Sequence, residues 1–168
     1  MNKKIKDEIV SDVIVGIVAI VIVIILNNFV FMPARVTGTS MCHTLEEDEL
    51  CFSFYYDKDN IDRFDIVVIQ TDESKKLIKR VIGLPNEKIE YKDNKLYIDG
   101  KYVKEDFLED DTITNDFVYK LRDNEYFCLG DNREVSKDSR IYGPFMKDSI
   151  IASHIFIYYP INKMRFID

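Results

Sequence analysis

Cysteine is scarce in this chain, and the cysteines present do not have the arrangement of a metal site. Cys42, Cys51 and Cys128 are the three cysteines among 168 residues, and three thiols cannot all pair within one chain. No two of them have metal-ligand spacing. Cys51 and Cys128 lie in apolar runs, where we expect them to be buried as small hydrophobic residues. The sequence therefore predicts no metal centre.

Basic charge is also in deficit. The chain holds 23 Lys and Arg against 30 Asp and Glu, a formal net charge of −7. Proteins that bind nucleic acids depend on clustered basic residues. The charge balance therefore argues against nucleic acid as a partner. Internal repeats and low-complexity linkers are absent as well, and the residues beyond position 34 are enough for one compact domain with its own core.

Histidine is rarer still, which limits the catalytic arrangements open to the chain. A serine-histidine-aspartate triad would have to recruit one of two residues, His43 or His154. His154 lies in a strand-like run, where a structural role is favoured. His43 is three residues from Ser40 and could reach its hydroxyl from a tight turn. His43 is therefore a candidate base for Ser40.

One apolar run is long enough to cross a membrane. Val13–Ala34 contains 22 residues without Lys, Arg, Asp or Glu, and a helix of this length would span about 33 Å, enough for the hydrocarbon core. A cleavable secretory signal is the alternative. A cut after Ala34 would place Met32 at the third-last position, where a small residue is wanted. A retained anchor is favoured, with Pro33 and Ala34 as the exit from the helix.

The charges around this run predict its orientation. Three lysines precede it within the first six residues, whereas Arg35 alone follows closely. The positive-inside rule then makes residues 1–12 cytoplasmic, residues 13–34 transmembrane and residues 35–168 an extracytoplasmic domain. The protein would cross the bilayer once, and Ser40 would lie close to the membrane surface. Its substrate should therefore come to the membrane.

Beyond residue 35 the pattern is that of β-strands, with no long helical pattern in competition. Short segments rich in Val, Ile, Phe and Tyr alternate with clusters of Asp, Asn, Gly and Pro. Asp93-Asn94 and Asp99-Gly100 predict tight turns. We expect a mainly β, antiparallel, partly barrel-like domain. Its predicted strands are Glu49–Tyr56, Asp65–Gln70, Leu77–Ile82, Lys88–Lys92, Lys95–Ile98, Glu125–Leu129 and Ser149–Tyr159.

Lys79 lies within one of these apolar strands. The two-residue period of a strand places it on one face with Leu77 and Val81. A free lysine with a pKa near 10.4 is neutral in only about one molecule in 2,500 at pH 7. Desolvation can lower the pKa toward roughly 7–8 and make lysine a usable general base. The alternative is an amphipathic strand whose lysine extends to water, and this segment alone favours that alternative.

A polar loop follows the strand that ends at Leu129. Gly130-Asp131-Asn132 is typical of a turn. Two pairs of opposite charge, Asp131 with Arg133 and Asp138 with Arg140, are expected to brace the loop.

Together these elements resemble the bacterial type I signal peptidases, membrane-anchored serine proteases that remove signal peptides from exported proteins. The resemblance covers nearly the whole chain, and the short stretch between Arg80 and Gly130 is similar to the compact form of Gram-positive bacteria. The implied fold is that of signal peptidases and self-cleaving repressors. The segments that carry the resemblance are the N-terminal anchor, Gly38–Leu45, Lys79–Pro85, Gly130–Arg140 with Gly143, and Tyr158–Lys163.

The resemblance also implies a role for each matching residue. Ser40 would be the nucleophile and Lys79 the general base, with Ser136 orienting the lysine amine. Asp138 and Arg140 would hold the loop. The backbone N–H of Ser40 would donate to the oxyanion of the tetrahedral intermediate. A serine nucleophile needs its base within roughly 2.6–3.2 Å, and the base needs a third group to orient it.

The implied reaction is hydrolysis of signal-peptide-bearing preproteins through an acyl-enzyme at the cell membrane. The substrate would lie extended against an edge strand, with alanine-like residues at the last and third-last positions before the cut. Neither a metal nor an organic cofactor is implied. The lipid bilayer is an expected partner, and contact with the export machinery is a further expectation.

Three positions depart from the family pattern. Gly38 stands where some branches carry a serine that acts as a second oxyanion donor, so that donor must come from elsewhere. His43 replaces the usual proline, which removes a φ restraint after the nucleophile and adds a titratable ring. Asn86-Glu87 replaces the usual Gly-Asp, a change expected to affect a turn.

Two other functions remain as alternatives. A cytosolic self-cleaving repressor uses a similar serine-lysine pair, but the anchor and the lack of a DNA-binding domain disfavour it. The second alternative is a catalytically weak or inactive assembly factor or binding module for surface proteins. The retention of both Ser40 and Lys79 disfavours this second alternative.

Overall fold

The chain forms one long helix followed by a β-rich domain. The computed structural model describes residues 3–55 and 60–167, with the side chains of residues 3–8 and 27–29 left undescribed. Residues 1 and 2 of the predicted cytoplasmic segment, and Tyr56 at the predicted end of the first strand, lie outside the described residues.

Helix α1 (Lys3–Phe29) contains most of the apolar run, from Val13 to Phe29. It is long and apolar enough to cross a membrane, and none of the residues in Ile9–Leu26 is buried inside the protein. A helix that exposes Ile and Val on every side suits an apolar solvent rather than water. The helix begins well before residue 13, so most of the predicted N-terminal segment is helical too.

The predicted helix exit at Pro33 and Ala34 is wrong. Helix α1 ends at Phe29, and strand β1 (Phe31–Arg35) follows it, so Pro33 and Ala34 lie in a strand rather than at a helix exit. Strand β1 is the edge strand of its sheet, where it pairs only with β2. Proline is tolerated there because an edge position does not need its missing N–H.

Eleven further strands follow within the described residues. They are β2 (Leu50–Phe54), β3 (Ile66–Gln70), β4 (Lys76–Gly83), β5 (Lys88–Lys92), β6 (Lys95–Ile98), β7 (Lys101–Val103), β8 (Phe117–Lys120), β9 (Glu125–Leu129), β10 (Phe145–Met146), β11 (Ile150–Tyr159) and β12 (Arg165–Ile167). A short helix, α2 (Ser139–Tyr142), precedes β10, and two single 3-10 turns span Lys147–Ser149 and Ile161–Lys163.

The strands form two antiparallel sheets, which confirms the predicted fold class. The large sheet has the order β1-β2-β11-β3-β4-β9-β10, with β12 paired to β11, and it curls into a half-barrel. The small sheet has the order β7-β6-β5-β8. Gly83 allows the two sheets to approach closely, since a Cβ at that position would lie 2.2 Å from Cδ1 of Ile89.

The predicted turns are confirmed. Asp93 and Asn94 both adopt left-handed φ angles, 50° and 59°, between the paired residues Lys92 and Lys95. This is the geometry of a two-residue hairpin turn that matches the twist of its strands. The substituted pair Asn86-Glu87 also lies in a turn, with Asn86 at a φ of 69°.

Candidate active site

Ser40 lies in a turn that is held from both sides. After β1 the chain turns through Gly38, whose φ is 81°. The side chains of Met41 and Leu45 are buried in the core and anchor the turn there. On the other side the N–H of Asn132 donates to the carbonyl oxygen of Ser40 at 3.1 Å. The turn that carries Ser40 is thereby attached to the loop that follows β9.

The structure brings Ser40 and Lys79 together. The Nζ atom of Lys79 is 2.7 Å from Oγ of Ser40, and it also donates to the carbonyl oxygen of Ile78 at 2.8 Å. Lys79 is only 2% exposed. The alternative of a lysine that extends from its strand into water is therefore excluded.

Burial changes the acid-base behaviour of Lys79. Desolvation lowers its pKa from the ordinary 10.5 to about 8, against the opposing negative charges of Asp138 and Asp131. At pH 7 the neutral share of such an amine is about one in eleven, some 300 times that of an ordinary lysine. A neutral amine at 2.7 Å from a hydroxyl can accept its proton.

Arg80, the residue after Lys79, connects strand β4 to two loops. Arg80 and Asp131 form a buried ion pair with 2.8 Å between Nη2 and Oδ2. The hydroxyl of Thr44, from the turn that carries Ser40, donates to the same carboxylate oxygen at 2.5 Å. Strand β4, the turn that carries Ser40 and the loop after β9 thus share one polar network.

The predicted pairing of Asp131 with Arg133 is wrong. Arg133 instead pairs with Glu105 at 2.6 Å and donates to the hydroxyl of Tyr91 at 2.7 Å. Its guanidinium lies over the ring of Tyr91, beneath the small sheet. The two side chains diverge because each finds a buried partner on a different sheet, Asp131 on the large sheet and Arg133 on the small one. Buried charges need such partners.

The predicted pairing of Asp138 with Arg140 is present. Nε and Nη2 of Arg140 contact the two carboxylate oxygens of Asp138 at 2.8 Å each. Asp138 is the N-cap of α2, and it also accepts from the N–H of Gly130 at 3.1 Å. Burial alone would raise the pKa of Asp138, but the bonds from Arg140 and Gly130 hold it below its ordinary value. The carboxylate is therefore charged and fixes the shape of the loop.

Ser136 is close to the site but does not bind the lysine. Its hydroxyl is buried on the loop after β9, close to the carboxylate of Asp138. It lies against Gly130, because a Cβ on Gly130 would be 2.2 Å from Oγ of Ser136 and 2.4 Å from the carbonyl oxygen of Ser40. The expected hydrogen bond from Ser136 to the Lys79 amine is not formed among the described residues, where Nζ contacts Ser40 and Ile78.

His43 is not brought to the hydroxyl of Ser40. Its φ is 78°, a left-handed conformation closed to proline, and its Nδ1 is 2.8 Å from Oε1 of Glu109. The ring is half exposed, and no hydrogen bond joins it to Ser40 within residues 3–55 and 60–167. The other histidine, His154, lies at a bulge in β11 with Nδ1 2.6 Å from Oγ of Ser153, in a structural position.

The backbone N–H of Ser40 is a candidate oxyanion donor. The N–H of Ser40 makes no hydrogen bond within the described part of the chain, so it can donate to an oxyanion. The N–H of Gly38 is occupied by Glu47 at 3.3 Å.

A groove leads away from Ser40 between two open strand edges. Strand β1 pairs only with β2, while the first half of β4 pairs with β3 and meets β9 only from Arg80 onward. The cavity between β1 and β4 has a volume of about 300 Å³ and reaches Ser40 and Lys79. Its shape and open backbone groups suit an extended peptide.

The cysteines contribute nothing to this site. All three are free thiols, and Cys51 and Cys128 are buried as expected. Burial raises the pKa of Cys51 to about 11, so its thiol is neutral at physiological pH.

An antiparallel half-barrel with a serine and a buried lysine at the end of a peptide-sized groove defines a serine endopeptidase domain. The chain belongs to the family described as signal peptidase, peptidase S26, whose family model matches residues 9–159.

Three relatives illustrate the match. Signal peptidase I S of Bacillus subtilis is 40% identical over 163 residues, 89% of this chain and 88% of the relative. Signal peptidase IB of Staphylococcus aureus is 33% identical over 181 residues, 96% of this chain and 95% of the relative. The crystal structure of a signal peptidase I from Enterococcus faecalis superimposes with a TM-score of 0.52 at 33% identity, covering 56% of this chain and 96% of that one.

Proposed function

We propose that this protein is a membrane-anchored endopeptidase that removes signal peptides from exported preproteins. The observation that carries the proposal is the contact between Ser40 and Lys79, 2.7 Å long, in which the lysine is almost fully buried. The names of its relatives, signal peptidase I, support the choice of substrate.

The geometry of the pair supports the following mechanism. Oγ of Ser40 attacks the scissile carbonyl carbon while the neutral amine of Lys79 takes the hydroxyl proton. The oxyanion that forms is stabilised by the N–H of Ser40, an interaction worth roughly 2.7–4 kcal/mol per donor in other proteases. The resulting ammonium then protonates the leaving amine, and water resolves the acyl-enzyme with Lys79 again as base.

The loop after β9 is assigned a supporting role. Asp138 and Arg140 hold the loop, and Gly130 lets it pack directly against the carbonyl of Ser40. The orienting role of Ser136 toward Lys79 stays a prediction, supported only by its burial on the same loop.

The substrate is assigned to the groove between β1 and β4. Backbone pairing with the open edges would supply affinity, and the narrow cavity favours small side chains next to the cut. Helix α1 is assigned as the anchor, with its N-terminus cytoplasmic and the β-domain outside. The lysines that precede the apolar run and the exposed apolar surface of α1 support this orientation and location. Contact with the export machinery stays a prediction.

The proposal is tested by cleavage of a preprotein by the full chain in detergent. We expect Ser40→Ala and Lys79→Ala to abolish cleavage, because each removes one half of the pair. Lys75→Ala is the matched control, since Lys75 lies next to the same strand but is exposed and paired with Glu73. Circular dichroism and thermal melts check that all variants fold. Cleavage at the wild-type rate by both site variants would refute the pair, and an inactive but folded wild type would favour the binding-module alternative.

A further inference from the structure

The groove between β1 and β4 has two chemically different ends. Ser40 and Lys79 lie at one end, and Met32 and Lys76 line the other. Nζ of Lys76 contacts Sδ of Met32 at 3.3 Å, so the lysine side chain extends from β4 across the groove toward β1. A positive charge therefore stands at the end of the groove away from the nucleophile.

The Met32 end is the one next to the helix. Helix α1 ends at Phe29 and β1 begins at Phe31, after which the chain runs along the groove to Ser40. In a preprotein cut at a membrane surface, the apolar segment before the cut lies in the bilayer. The residues before the cut would therefore enter the groove past Met32 and Lys76. This step rests on the proposed function.

The rise per residue of a strand indicates which substrate residue would lie next to Lys76. Lys76 precedes Lys79 by three residues on β4, a distance of about 10 Å along a strand. An extended substrate advances by the same rise per residue. With the cleaved carbonyl at Ser40, the fourth residue before the cut lies level with Lys76. The flexible lysine stem also reaches the fifth.

The charge of Lys76 is available to such a residue. The side chain is exposed, and no carboxylate of the described residues lies within 4.0 Å of its Nζ. Its contact with Met32 is to a thioether, which is only a weak acceptor. The neighbouring Lys75 differs, because its charge is paired with Glu73 at 2.6 Å.

We propose that Lys76 is a specificity-determining residue that favours preproteins with a carboxylate side chain at the fourth or fifth residue before the cut. The same charge disfavours Lys or Arg at those positions. The small residues next to the cut then set where cleavage occurs, while Lys76 sets which preproteins are cut faster.

The test compares four versions of one preprotein, with Glu or Lys at the fourth or the fifth residue before the cut. The quantity measured is the ratio of kcat/KM for the Glu version to that for the Lys version at each position. The full chain is assayed in nonionic detergent, so that no anionic headgroup competes for the lysine. The enzymes are wild type, Lys76→Gln, Lys76→Glu and the matched control Lys75→Gln.

We expect the wild type to prefer Glu about five-fold at one or both positions, the upper range for an exposed ion pair. The preference should vanish in Lys76→Gln, reverse in Lys76→Glu and remain in Lys75→Gln. Wild-type ratios near one at both positions, or ratios that Lys76→Glu leaves unchanged, would overturn the inference while leaving the proposed function intact. Failure of the wild type to cut any version would overturn the proposed function and the inference with it.

Discussion

The pH dependence of cleavage tests the central role of Lys79. With its pKa lowered to about 8 by burial, the neutral share of the amine is about 1% at pH 6, 9% at pH 7, 50% at pH 8 and 91% at pH 9. If the neutral amine is the base, kcat/KM should rise about 50-fold from pH 6 to pH 8 and less than two-fold from pH 8 to pH 9. A lysine with an ordinary pKa would instead give a rise that continues past pH 10.

The assay is single-preprotein cleavage by the full chain in detergent, with initial rates measured from pH 5.5 to pH 10. Circular dichroism at each pH shows that the fold is kept. The matched variant is His43→Ala, which removes the other residue considered as a base. Because His43 contacts Glu109 rather than Ser40, we expect the variant to keep the same profile. A break near pH 6.5 that disappears in His43→Ala, together with activity retained in Lys79→Ala, would refute the reasoning.

Two further predictions concern stability and packing. Lys79→Met should abolish cleavage yet stabilise the fold at pH 7 by about 3 kcal/mol, since a lysine whose pKa falls from 10.5 to about 8 on folding destabilises its protonated folded state. Between about pH 8 and pH 10.5, Lys79 is protonated in the unfolded wild type but neutral in the folded one. The free energy of unfolding of the wild type should therefore rise with pH in that window, and that of the variant should not. A lower Tm for the variant than for the wild type at pH 7 would contradict the expected stabilisation. Gly130→Ala should lower cleavage at least about ten-fold, because its Cβ would press on Oγ of Ser136 and the carbonyl of Ser40. Gly16→Ala, where nothing lies within 4 Å of the new Cβ, is its control, and equal rates for the two variants would show that the contact does not matter.

Seven of the twelve strands in residues 3–55 and 60–167 could be predicted because their own residues carry the signal. Strands such as β5 and β6 combine β-branched or aromatic residues with turn residues at their ends, and their bounds agree with prediction. The five strands missed were β1, β7, β8, β10 and β12, which are short, polar or interrupted. Strand β10 has two residues and exists because β9 offers it an edge. Such strands are stabilised by their partners rather than by their own sequence.

Strand β1 could not be predicted from its own residues either, since it lies at the end of the apolar run. Phe31 to Ala34 continue the apolar character of the helix, so composition alone joined them to the anchor. Pairing with β2 places these residues in the sheet instead. One uncharged run therefore supplies both the helix and the first edge of the groove.

The sequence by itself determined the candidates at the site. Three features are local: Ser40 after an apolar run, Lys79 in an apolar strand and a charged loop after Leu129. Their order along the chain matched a family. Local features also sufficed for the turns at Asp93 and Asp99, because backbone conformation there depends on the turn residues alone.

Only the tertiary structure decided which of these groups meet. It placed Ser40 and Lys79, 39 positions apart in the chain, at 2.7 Å, and it turned His43 toward Glu109. It also paired Asp131 with Arg80. The physical reason is that a side chain's pKa and its choice of partner depend on burial and on neighbours brought together by folding. A lysine next to apolar residues in sequence becomes a base only when strands from several parts of the chain exclude water from it.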